Sequence, residues 1–281
     1  MVGDSRQSGP GTAAVTGASR GIGLATALEL ARRGYSVLAL VEDESMVPEV
    51  VAEAGALPVR VAVLDVIDPG GFRFPDDLRV LVNNAGVRRD FLPVEHIEPS
   101  DWREVFEVNV FAVAELCRRA IAVLRDNGGG VICNVTSSAV LDLGPFFGAY
   151  RCSKVAASAL CEELRLELAP FGIRVVEILP GPTRTTMAND GVSARLAEAA
   201  RFPEYEQMAL RQRELLAQQP EWATPEDVAV VIAEAIADDD APMRHGTDAL
   251  SRHRLARRRK EADDEFFMKE AVERYLATEH V

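Results

Sequence analysis

Thr16-Gly17-Ala18-Ser19-Arg20-Gly21-Ile22-Gly23 decides how this chain folds. It follows the short apolar run Ala13-Ala14-Val15. It leads into Leu24-Ala25-Thr26-Ala27-Leu28-Glu29-Leu30-Ala31, whose apolar residues recur at helical spacing until Gly34 stops them. The order is strand, glycine-rich turn, helix. Three glycines at that junction let the backbone approach a pyrophosphate and aim the N–H groups of the first helical turn at it. A dinucleotide suits such a turn, although glycines also build tight turns that bind nothing.

Outward from the turn, short apolar runs alternate with longer segments of helical period. Strands are predicted at Val37–Val41, Val59–Leu64, Val80–Val82, Val131–Val135 and Arg174–Leu179, several of them too apolar to have a wet face. Ser100–Leu124 and Tyr150–Leu168 read as the two long crossover helices, the first capped by Ser100 and the second closed by Pro170 and Gly172. The pattern predicts an α/β fold, a doubly wound parallel sheet with helices on both faces. At 281 residues the chain fits one such domain. Residues 1–11 read as a loose tail, 12–250 as the domain with a helical lid at about 186–220, and 251–281 as a charged helical extension. Thr224-Pro225-Glu226-Asp227 reads as the cap of a further helix.

Asn83-Asn84-Ala85-Gly86 ends a strand, where an open α/β sheet presents its ligand crevice. In Tyr150-Arg151-Cys152-Ser153-Lys154 the phenol and the ammonium are four residues apart and share one helix face. A free phenol has a pKa of about 10, so it is a poor base near neutrality unless fixed positive charge stabilises the phenolate. Ser137 stands thirteen residues before Tyr150 at the end of a strand.

Taken together, these elements resemble the classical short-chain dehydrogenase/reductase family, over about residues 12 to 187. The resemblance rests on G-x-x-x-G-x-G after Thr16, N-N-A-G at Asn83–Gly86, the Tyr150/Lys154 pair, Asn109 within Glu107-Val108-Asn109-Val110-Phe111, and Pro180-Gly181-Pro182-Thr183-Arg184-Thr185-Thr186-Met187. It implies a Rossmann-type fold and hydride transfer between NAD(P)(H) and an alcohol/carbonyl pair. It implies a tetrad in which Tyr150 transfers the proton, Lys154 grips the ribose, Ser137 holds the substrate oxygen and Asn109 holds a relay water. Ser138 is the neighbouring alternative to Ser137, but the count through Asn134-Val135-Thr136 favours Ser137. For the cofactor the resemblance implies Thr16, Gly17, Ser19, Arg20, Gly21, Ile22 and Gly23 in the first turn. It adds Asp65 and Val66 at the adenine, Asn83, Ala85 and Gly86, Tyr150 and Lys154, then Pro180, Gly181, Thr183 and Thr185, the last at the carboxamide. The two long helices imply a homodimer or homotetramer.

The likeness thins in three places. Asp68-Pro69-Gly70-Gly71 interrupts any helix between Asp65 and Asn83, so that crossover should be short. The family's position for the cofactor-discriminating acid holds Val41, with Glu42 next to it. Arg20 would favour a 2′-phosphate and Glu42, Asp43 and Glu44 would repel one, so NAD is favoured over NADP. The tail, with Arg257-Arg258-Arg259-Lys260 and the amphipathic segment Phe266–Leu276, departs from the family's usual ending and reads as solvated helix.

A net charge of −13 argues against nucleic acid as a partner. No apolar run approaches the ~20 residues that cross a bilayer, and the polar start Met1–Arg6 has no leader core, so a cytoplasmic protein without membrane attachment is expected. Cys117, Cys133, Cys152 and Cys161 form no C-x-x-C pair and read as reduced core thiols. His96, His245, His253 and His280 lack ligand spacing, so no metal is expected. Leu141, Leu143, Pro145, Phe146 and Phe147 suggest an apolar pocket for a lipophilic small-molecule substrate, or else core. The alternative function is a nucleotide-binding sensor or regulatory protein that kept the fold and lost turnover.

Overall fold

Strands whose side chains alternate between two helical layers set the architecture. In the computed structural model, which describes residues 10–89, 91–185, 192–218 and 222–261 together with Phe266, Met268, Glu270, Glu273 and Arg274, seven strands form one sheet. They are β1 (Thr12–Thr16), β2 (Ser36–Val41), β3 (Val59–Val63), β4 (Leu78–Asn83), β5 (Gly130–Val135), β6 (Ile173–Leu179) and β7 (Arg244–Gly246). All pair in parallel in the order β3-β2-β1-β4-β5-β6-β7. The order reverses between β1 and β4, so the ends of these two strands open the crevice where an α/β sheet binds its ligand. Met187, the start of the expected lid, the tail before Pro10, His280 and most of 262–281 lie outside the described residues.

The helices are α1 (Gly21–Arg32), α2 (Val47–Ala54), α3 (Pro99–Phe106), α4 (Ala112–Asp126), α5 (Gly148–Leu168), α6 (Val192–Ala199), α7 (Glu206–Ala217), α8 (Pro225–Ala237) and α9 (Ala249–Lys260). Ala13, Val15, Val37, Ala39, Val80 and Val82 face α1 and α8, through Leu30, Val228 and Ile232. Ala14, Leu38, Leu40, Leu81, Ile132 and Val175 face α4 and α5, through Leu116, Leu124, Cys161 and Leu164. With neither face of the inner strands wet, each fully buried Leu or Ile contributes about 1.5–3 kcal/mol of transfer free energy. This explains why the strands read as unbroken apolar runs.

Several expectations are corrected. Ser100 is not the cap of the first crossover helix: Glu98 takes that position, and Pro99, whose φ suits the first helical residue, starts α3. The helix over 100–124 is not regular either, because Glu107–Phe111 widens into a π turn between α3 and α4. The second crossover helix begins at Gly148, two residues before Tyr150, and closes through Gly172 at φ +65°. β7 was not anticipated, being three residues long and half polar. α9 starts at Ala249 under an Asp248/Ser251 capping box, so the helix runs across the boundary expected at 250. The Thr224/Asp227 box caps α8 as read from sequence. No helix lies between β3 and β4, where Phe72 packs edge-on against Phe74 and both cover the core instead.

Cys152 is exposed on α5, against the expectation of a core thiol, whereas Cys117, Cys133 and Cys161 are buried. Burial pushes the Cys117 thiol up to about 12 and likewise raises those of Cys133 and Cys161. A thiol reagent at mildly alkaline pH will therefore modify folded protein at Cys152 alone, and all four cysteines only after denaturation, as peptide mass spectrometry will show. Rapid modification of a second cysteine in the folded protein would contradict this burial.

Candidate active site

The glycines of the first turn do different jobs. Gly17 and Gly21 hold φ of +61° and +56°, where side chains are disfavoured. Gly23 has no such need, but a Cβ on it would lie 2.1 Å from the Gly17 carbonyl oxygen, so α1 packs on the turn only if that position is bare. Arg20 occupies the N-cap of α1 and makes no side-chain capping bond, so the cap residue itself satisfies none of the first N–H groups of the helix. A Cβ on Gly21 would lie 3.3 Å from Thr185 Cγ2, so the loop after β6 stands across the cradle from α1. A bare, positively polarised backbone cradle of this kind fits a dinucleotide pyrophosphate.

The other expected cofactor residues divide by burial. Ser19, Ile22, Val66, Ala85, Gly86, Gly181 and Thr185 are half-buried around the cleft, and Arg20, Glu42 and Asp65 are exposed. Asp65 Oδ1 accepts from Ile67 N at 3.0 Å, a turn-forming bond. The side chains of Thr16 and Asn83 lie behind the cleft wall. Thr16 Oγ1 accepts from Asn84 N and Ala85 N, both at 3.0 Å, and Asn84 Nδ2 donates to the carbonyls of Thr16 and Gly17. Asn83 Nδ2 donates to Asn134 Oδ1 at 2.8 Å. These residues fasten the β1 and β4 turns together. Pro180 is buried, and the Thr183 hydroxyl, also buried, donates to Gly181 O.

Two of the four expected tetrad residues, Asn109 and Lys154, meet at Gly86. The π turn presents Asn109, which is buried. Its Oδ1 accepts from Val87 N at 2.9 Å, and its Nδ2 donates to Val87 O at 2.9 Å and to Ser153 Oγ at 3.0 Å. A widened turn inside a long helix is a common device for aiming one residue. Lys154, buried on α5, donates from Nζ to Val135 O at 3.0 Å, and Nζ lies 5.9 Å from the Tyr150 ring centroid. A Cβ on Gly86 would lie 3.2 Å from Asn109 Oδ1 and 3.3 Å from Lys154 Nζ, so this glycine is what lets both groups come together. Ser137 Oγ accepts from Ala139 N at 3.1 Å, a bond that leaves its O–H as a donor. Ser138 is buried, and its hydroxyl accepts from Arg254 Nη1 of α9 at 3.3 Å, so the neighbouring serine is turned toward the C-terminal helix.

Sequence reasoning missed the ring of charges that holds this site. Asp142 pairs with Arg254 at 3.0 Å and Arg274 at 3.1 Å, and Arg151 donates from Nε to the carbonyls of Ala139 and Asp142. Asp248, the cap of α9, accepts from Gly181 N at 2.9 Å. The C-terminal helix thus binds both the loop after β5 and the loop after β6. Its partners are too distant in sequence for spacing to reveal them.

Phe91, Phe146, Phe147 and Arg89 line a cavity of about 10 Å³ beside Tyr150. Arg89 is paired with Glu104. Phe146 holds φ +70°, unusual for an aromatic residue, and its ring is buried against α6 and α7. Leu141 belongs instead to a small core under α9, with Leu179 and Leu255. An open cleft of about 530 Å³, lined by Arg184, Trp222 and Arg252 among others, has no tetrad residue in its lining. His96 stacks on Phe202, and the ring of His245 bonds Pro242 O. Among the described residues no group of His, Cys, Asp and Glu could hold a metal ion, and no helix is long and apolar enough to cross a membrane.

The doubly wound sheet, the glycine cradle and the Tyr150/Lys154 pair define a nucleotide-dependent oxidoreductase. A family model described as short chain dehydrogenase matches residues 11–195, and the chain belongs to that family. It is 31% identical to a 3beta-hydroxysteroid dehydrogenase of Mediterraneibacter gnavus, over 84% of this chain and 90% of that one. A short chain dehydrogenase of Mycobacterium paratuberculosis bound to NAD superposes with a TM-score of 0.72 at 26% identity, covering 86% of this chain and 97% of that one. One from Burkholderia cenocepacia in complex with NADP gives 0.70 at 25% identity, covering 95% and 98%.

Proposed function

We propose that this protein interconverts a lipophilic secondary alcohol and its ketone, using NAD in preference to NADP. The observation that carries the reading is the buried Lys154 ammonium, 5.9 Å from the Tyr150 ring and beside Asn109 around Gly86. The nicotinamide cofactor, when bound, supplies hydride transfer to or from the substrate carbon. The cradle at Gly17–Gly23, Ala85, Gly86, Gly181 and Thr185 would hold it, with Lys154 at the ribose.

Ser137 donates its O–H to the substrate oxygen and fixes that oxygen in front of Tyr150. Tyr150 gives its phenolic proton to the oxygen in reduction and takes it back in oxidation. Lys154 places fixed positive charge beside the phenolate, and Asn109 locks the Val87 backbone that forms the wall behind it. Exposed Glu42 beside buried Val41 supports NAD through repulsion of a 2′-phosphate, a stronger influence in this reading than the exposed Arg20. The phenylalanines beside Tyr150, and the steroid substrate in the name of the Mediterraneibacter relative, support a lipophilic substrate. Exposed Phe111, Val155 and Leu166 on the crossover helices support a homodimer or homotetramer. We take residues 12–250 as the catalytic domain and 251–281 as an extension that begins within α9.

The test is a fluorescence titration with NADH and NADPH, followed by a panel of alicyclic alcohols and ketones. The expected result is tighter binding of NADH and turnover of at least one lipophilic pair. Binding without turnover across the panel would support a nucleotide sensor instead. No binding of either nucleotide would overturn the dinucleotide site.

A further inference from the structure

Lid helix α7 turns one face inward, and a single residue on that face is out of place. Met208, Ala209 and Leu216 pack with Phe91, Phe146 and Phe147 in an apolar cluster that also takes in Leu196 and Ala199 of α6. Gln212 follows Ala209 by three residues and Met208 by four, so it points the same way. It is 3% exposed, and its Oε1 is buried without a donor among the described residues. A long amide in an apolar cluster adds no contact that leucine or methionine would not, and it leaves a strong acceptor unpaired.

The neighbours of that amide tie it to the substrate side of the site. Nε2 lies 3.6 Å from where a Cβ on Gly144 would be, and the Phe147 ring lies at the same distance from that point. Gly144 belongs to the loop between Ser137 and Tyr150. Its missing side chain leaves space where the amide meets this loop. The cavity beside Tyr150 gives the centre of a water about 10 Å³ to move in, room for about one water. A larger substrate at Tyr150 must displace the Phe91, Phe146 or Phe147 ring, and these rings pack against α6 and α7. As it does so, it meets the apolar lid face with one polar group in it.

We infer that Gln212 is a specificity-determining residue whose Oε1 accepts from a hydroxyl of the substrate remote from the reacting carbon. The inference rests on the dehydrogenase reading above. It narrows the substrate class to an apolar body with two polar groups: the carbinol or ketone at Tyr150 and a second hydroxyl at Gln212. Selectivity of this kind can be large, because a mono-alcohol leaves the amide unpaired inside the closed site.

The experiment compares wild type with Gln212→Leu, a substitution of similar volume, on matched probes. These are cyclohexanol against cyclohexanediol, decalol against decalindiol, and a saturated steroid mono-alcohol against the matching diol. Steady-state kinetics give kcat and KM, while calorimetry on the protein–NADH complex gives affinity whether or not turnover occurs. NADH affinity is the control. Wild type should favour at least one diol over its mono-alcohol tenfold or more, chiefly in KM and in Kd. Gln212→Leu should abolish that preference by weakening the diol, with the mono-alcohol, NADH affinity and melting temperature unchanged or improved. The same ratio in both proteins, no preference in wild type, or no binding of any probe would overturn the inference. A diol preference in Kd that Gln212→Leu erases in a protein without turnover would sustain it and refute the dehydrogenase reading instead.

Discussion

In the Tyr150→Phe variant, turnover falls by about 10²–10⁴-fold, the range that a positioned proton donor contributes, while NADH binds much as it does to the parent. The substitution removes one oxygen from a half-buried ring on a helix that stays intact. Lys154 keeps its bond to Val135 O and its place against Gly86, and Ser137 keeps its capping bond. Cofactor binding depends on the backbone cradle and on Lys154, neither of which the variant touches. A substrate oxygen held by Ser137 then has no partner to exchange a proton with, so the loss should lie in kcat more than in KM. Single-turnover kinetics at saturating NADH on a ketone, with NADH affinity measured beside it, make the check. Activity within a few-fold of wild type would remove Tyr150 from the proposed chemistry. A parallel loss of NADH affinity would mean that the phenol serves binding.

The fold and the centre of the candidate site were legible because their signals are local. The strand–turn–helix at Thr12–Arg32 and the shared face of Tyr150 and Lys154 need only short-range spacing, and strands buried on both sides announce themselves as apolar runs. Asn109 showed less plainly: a buried amide inside a helical pattern is an anomaly, but nothing in Glu107–Phe111 announces that the helix widens there. What was illegible is held by long-range partners. β7 is too short and polar to show any period and exists because β6 offers it an edge. The Arg254–Asp142 and Gly181–Asp248 links join residues far apart in sequence, where any Arg and Asp look alike. Ser100 was misread because a good capping residue followed a better helix starter, Pro99.

The second large effect is on stability. Asn83, Asn134, Glu177 and Arg244 stand in register across β4, β5, β6 and β7, a polar row through the apolar sheet at the end nearest the site. Glu177 is fully buried. One of its oxygens accepts from the Thr136 hydroxyl at 2.7 Å, and the other accepts from Arg244 Nε at 2.8 Å. Arg244 also donates to Ser158 at 3.0 Å and to Glu162 at 2.7 Å, near the surface. Such a pair adds little over apolar residues of the same shape, but removing one partner strands the other's charge. Arg244→Met should therefore cost about 2–4 kcal/mol, below the full range for a wholly buried pair because the arginine is partly solvated. At about 2–4 °C per kcal/mol for a chain of this size, the melting temperature should fall by roughly 5–15 °C. Glu177→Gln added to Arg244→Met should recover most of that loss, since a neutral amide in the same volume carries no charge to desolvate. Differential scanning calorimetry of the two singles and the double variant, read as a double-mutant cycle, separates the pair from its surroundings. Additive losses, or a melting temperature for Arg244→Met within about 2 °C of wild type, would show that Glu177 does not depend on the arginine.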